Sequence, residues 1–209
     1  MFDITRTPVS TLFICFAFAL SLLMYLQILE PFQLYFNKKL IVEEREWWRL
    51  FTSIFCFGSL SIQAVFSIIT FVQFANQTEG SYFSRRPLDF LVLAGCGCIA
   101  AWCYALCTPT LFLGSFLSSY FFYYWTKKTP DGHVVLFFVQ LRANWGPFAI
   151  LAINATLGGF NSAEIRATLL AYLAAHVFFF LRDVVSVKWP VSLLVLPDSA
   201  NHFVSNLFS

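Results

Sequence analysis

Residues 12–29 carry no Asp, Glu, Lys or Arg, and five more mostly apolar stretches follow, three of them equally free of charge. A helix needs about 20 mostly apolar residues to cross a bilayer core of roughly 30 Å. Inside that core every backbone N–H and C=O must be satisfied within the protein, as a helix does. The stretches are 12–29, 60–75, 88–106, 110–125, 143–157 and 165–181. They predict an all-α polytopic membrane protein of six helices, in one domain over residues 1–209 with a short cytosolic tail at 182–209. Composition agrees: 59% of residues are apolar and only 11% charged, against about 25% charged in soluble domains.

Several function classes drop out. Net charge is +2 with no basic cluster, so nucleic acid is not an expected partner. The first stretch lacks a small-x-small cleavage site before Glu30-Pro31, so it reads as a retained span and not a signal peptide. The pair Cys96-Gly-Cys98 has no His or second close pair beside it, so no metal or cofactor is expected. The six cysteines read as small buried hydrophobes. A small transporter would need paired charges inside the spans, and none is evident.

Six spans put both termini on one side. Eight of the thirteen Lys and Arg residues fall on that side, a modest bias that places both termini in the cytoplasm. The connection 126–142 begins polar (TKKTPDGH) and turns apolar (VVLFFVQL). Its second part is expected to lie in the membrane interface without crossing. The fifth span carries Asn144, Gly146, Pro147 and Asn154, irregularities tolerated only against protein or water.

The most charge-dense stretch is VEEREWWRLF, residues 42–51, inside the long amphipathic connection 30–57. Tryptophan prefers the headgroup level. Arg49 has five donors with which to bond several backbone carbonyls, and would thereby pin a loop that dips into the membrane. The alternative is an ordinary aromatic belt with a snorkelling arginine.

WWRLFTSIF, with Trp48 and Arg49, resembles the loop-one Trp-Arg motif of the rhomboid superfamily. TRTPVSTL, RRPLDF (with Arg86 and Asp89), YYWTKKTPDG and LAAHVFFFLRDV resemble, in order and spacing, motifs of the Derlins. The resemblance covers roughly residues 8–185 and implies a rhomboid-like bundle. The family's G-x-x-x-G stands here as Ala171-x-x-x-Ala175; small residues four apart still share a helix face. The Asn of its N-P pair is Thr129.

Rhomboid proteases use a serine in G-x-S-G and a histidine on the sixth span. His176 matches the histidine. The fourth span reads LFLGSFLSSYFF, with Ser115 directly after Gly114 and no G-x-S-G. A serine without a base in hydrogen-bond reach is a poor nucleophile, so no catalytic residue is expected, with an active intramembrane serine protease as the alternative. His176 then reads as a hydrogen-bonded packing residue, or as a titrating one.

The resemblance further implies a multi-pass protein of the endoplasmic reticulum membrane, in endoplasmic reticulum-associated degradation. Derlins assist retrotranslocation of misfolded proteins beside a membrane ubiquitin ligase and the valosin-containing AAA ATPase. Short spans favour a thinned bilayer. Gln63, Gln73 and Asn76 on the second span would line a wet lateral gate, or simply mark the span's ends. The final residues NHFVSNLFS lack the family's ATPase-recruiting motif, so recruitment through the ligase complex is expected. Homo- or hetero-oligomers stay open. The sequons at Asn76 and Asn154 are expected to carry no glycan.

Overall fold

The computed structural model describes residues 7–58, 62–84, 86–108, 110–136, 139–157, 160–185 and 201, apart from the side chains of 63, 136, 139 and 157. Six helices correspond to the six expected stretches: α1 (Pro8–Tyr25), α5 (Ile62–Tyr82), α6 (Pro87–Cys107), α7 (Gly114–Lys128), α8 (Gly146–Leu157) and α9 (Ser162–Phe179). The connection after α1 holds three short helices, α2 (Pro31–Leu34), α3 (Lys38–Val42) and α4 (Trp48–Phe55). By length and composition, Pro8–Tyr25, Pro87–Cys107 and Ser162–Val185 can each cross a membrane.

The helix ends follow local chemistry. Pro8 opens α1 and Pro87 opens α6, where a missing N–H costs nothing. α1 therefore starts four residues before its expected stretch, and the chain turns at Gln27, whose φ is 56°. α5 runs seven residues past its expected end at 75. Its polar extension stays helical because Thr78 and Glu79 are buried while Gln77 and Ser81 face outward.

α7 is the centre. Tyr120, Phe121, Phe122 and Tyr124 are fully buried on it, and α5 and α9 form its principal flanks. Fifteen residues make a helix of only about 22 Å. α6 passes close to it at Gly97, where a Cβ would stand 2.9 Å from the Tyr120 ring. The lipid-side surface is apolar: Leu12, Phe18, Ile69, Ile99 and Leu173 are all exposed. Cys15, Cys103 and Cys107 join it, which corrects the expectation that the thiols are buried. They sit on helix faces that no other helix among the described residues covers.

The two ends of the bundle differ. At one, the base, lie the start of α1, the ends of α5, α7 and α9, and the start of α6, joined by side-chain bonds among them. At the other, the rim, lie α2–α4 and the starts of α5, α7 and α9. The apolar half of 126–142 is a hairpin at the base, β1 (His133–Leu136) antiparallel to β2 (Val139–Arg142), with His133 opposite Arg142. Period-2 alternation explains it: Val134 is 1% exposed and Val135 57%, the pattern of a half-buried strand.

Candidate functional site

Three groups of residues stand out: a clamp at the rim, a polar seam between α7 and α9, and an ionic cluster at the base. At the rim, Arg49 is turned inward and 6% exposed. It donates to the carbonyl oxygens of Phe32 at 2.9 Å and Tyr35 at 3.3 Å and pairs with Glu46. Its guanidinium lies over the Tyr35 ring. One planar fork thus ties α4 to α2 and the turn after it. The adjacent Trp48 and Trp47 point outward, both more than half exposed. A second tie was not legible: the indole of Trp102 on α6 donates to Leu50 O at 3.1 Å.

Beside this loop lies a rim cavity of about 360 Å³. Ala64 and Ser67 of α5, Tyr104 of α6, Ser115 of α7, and Asn161 and Glu164 before and on α9 line it. Gln73 and Asn76 do not reach it; they are half-buried further along α5. Among the described residues, Asn76 Oδ1 and Thr78 Oγ1 are buried with no hydrogen-bond partner. The Gln63 side chain lies outside the described residues.

His176 stands toward the base end of α9. Its Nδ1 is 3.1 Å from the hydroxyl of Tyr123. Ser115 is eight residues earlier on α7, about 12 Å along the axis. Ser118 donates to the Ser67 carbonyl instead. Among the described residues no serine meets the histidine. Tyr123 also stacks on Tyr172 at 5.0 Å, and Tyr172 donates to Pro147 O, so one polar seam joins α7, α9 and the start of α8. Ala171 and Ala175 are fully buried on the inner face of α9, which packs on α7 and α6.

At the base, Asp89 is fully buried and takes Arg182 at 2.9 Å and Arg86 at 3.4 Å. Asn201 donates to its other oxygen. Arg182 also lies over the Phe83 ring. The next residue, Asp183, pairs with Lys128 and accepts from Tyr124. The sequence shows no paired charges within the expected stretches, and Arg182 lies one residue past the last of them. The structure supplies a pair because the first turn of α6 meets a π-helical turn, Phe180–Val185, that ends α9.

Glu79 was also missed. It is 1% exposed, and its carboxylate accepts the N–H groups of Val9 at 3.0 Å and Ser10 at 2.6 Å. These are first-turn donors of α1 with no partner in their own helix, at the positive end of its dipole. One signal was available: Glu79 is the only acid between Glu46 and Asp89, with no cation within four residues.

A sequence model of the Der1-like family matches residues 4–197. Derlin-1 of Oryza sativa subsp. japonica is 30% identical over 178 residues, which cover 83% of this chain and 72% of that protein. Derlin-1 of Arabidopsis thaliana is 25% identical over 203 residues, 95% of this chain and 74% of that one. Derlin-2.2 of Zea mays is 28% identical over 171 residues, 76% of this chain and 67% of that one.

Proposed function

The chain belongs to the Der1-like family, and on that premise we propose that it is a non-catalytic factor of endoplasmic reticulum-associated degradation, assisting the passage of misfolded proteins to the cytosol. The observation that carries the non-catalytic reading is the His176–Tyr123 bond. General-base activation of a serine requires hydrogen-bond reach, and the imidazole spends its Nδ1 on a phenol about two turns from Ser115.

The passage itself is through a thinned membrane. A central helix of fifteen residues is shorter than a bilayer core by several ångströms, and the bilayer thins around short elements at modest cost. The base faces the cytosol and the rim the lumen, where a substrate arrives beside the loop that Arg49 braces. α5 is the gate helix, with Gln73 and Asn76 half-buried on its flank. The partners are misfolded chains, a membrane ubiquitin ligase and, through it, the valosin-containing AAA ATPase.

The test is a decay chase of a misfolded lumenal glycoprotein with the protein present or depleted, resolving full-length chain and fragments together. Depletion is expected to stabilise the full-length substrate, with no fragment in either case. A discrete fragment seen only with the protein, and lost on Ser115→Ala, would make it a protease.

A further inference from the structure

The two ends of α5 are held differently. At the base Glu79 grips the first turn of α1 through two charge-assisted bonds, which are stronger than neutral ones. Three residues on, the Tyr82 hydroxyl bonds Thr129 beyond the end of α7, and the Lys128 ammonium lies over the Tyr82 ring. Gly80 lets α1 close in; a Cβ there would stand 3.2 Å from Thr7 Cγ2. The rim third of α5 presents Ile62, Val65 and Ile69 outward. Its Ser67 carbonyl takes a neutral bond from Ser118, and beside it Ala64 and Ser67 border the 360 Å³ cavity. A cavity borders one end, and a buried carboxylate fastens the other.

We propose that Glu79 is a positioning residue, the pin on which α5 turns, so that the gate opens at the rim while the base of the helix stays seated on α1. This rests on reading α5 as the gate helix. A helix fastened at one end converts a small tilt into its largest displacement at the other. Without the pin the tilt is shared along the whole length, and the rim opening shrinks.

Hydrogen exchange on the full chain in lipid nanodiscs tests this without any substrate, so its outcome does not depend on the transport reading. In the wild type, amides of residues 62–70 are expected to exchange at least several-fold faster than those of 74–82. Glu79→Ala should speed exchange at residues 9, 10 and 76–82 and slow it at 62–70. Glu79→Gln, which keeps shape and one acceptor, should move both in the same directions by less, and serves where the alanine variant does not fold. In the chase, either variant should lengthen substrate half-life about twofold or more. Faster exchange at both ends, or at the base alone, marks a merely structural bond and overturns the proposal. If exchange shifts as expected but the half-life is unchanged, the pin stands and α5 is not the gate.

Discussion

The Nδ1 of His176 and the hydroxyl of Tyr123 meet at 3.1 Å across the α7–α9 interface, where a protease would need a serine. Tyr123→Phe and His176→Ala each remove this bond without exposing a nucleophile. Hydrogen bonds between membrane helices contribute about 0.5–1.5 kcal/mol. Each substitution is expected to lower the thermal midpoint in detergent by a few degrees. Neither should create or abolish a substrate fragment on a gel.

Arg49 is a harder loss. Arg49→Ala leaves two carbonyls and Glu46 without their donor, and stranding buried polar partners costs about 2–4 kcal/mol. Arg49→Lys keeps the charge but not the planar fork, so it should recover less than half. Tryptophan fluorescence during heating reads both, since Trp47, Trp48 and Trp102 flank the clamp.

Asp89→Asn should be the most damaging change at the base. It leaves Arg182, itself largely buried, without its anion, at a cost of about 3–5 kcal/mol. Arg86→Gln should stay within about 1 kcal/mol, because that partner is more than a third exposed and solvent-screened. Asp89→Asn combined with Arg182→Gln should cost less than the two separately, with a coupling of about 0.5–3 kcal/mol. Denaturant titration of the four proteins checks it.

Ala175 is fully buried against the bundle. Ala175→Leu forces extra methylenes into a closed contact and should cost about 1–3 kcal/mol. Ala175→Gly should cost about 1 kcal/mol or less, the ordinary propensity difference in a helix. Detergent melts that rank glycine below leucine in stability would overturn the close-packing account.

The apolar stretches are legible in the sequence because a membrane span is a local property: length and hydropathy within about 20 residues decide it. The six helices and the small residues four apart on α9 are visible within single segments; Arg49 is visible there too, but both its readings, a brace on backbone carbonyls and a snorkelling belt residue, stay open in the sequence. The hairpin at the base was hidden because a short apolar run fits a strand or an interfacial segment equally well. Only alternate burial of Val134 and Val135 distinguishes them.

The bonds that join segments were not legible at all. Glu79 meets Val9 and Ser10 across some seventy positions, and Asp89 meets Arg182 across 93. Nothing near either acid in the sequence names its partner. Burial decided both, because a carboxylate taken out of water must find a cation or a set of backbone donors. His176 was legible as an unusual residue, but its partner was not, since Ser115 and Tyr123 lie on one helix and differ by about two turns. The sequence by itself determined a polytopic Der1-like bundle, since hydropathy and motif order are written along the chain. Tertiary structure alone decided which polar groups meet, because that depends on which helix ends pack side by side.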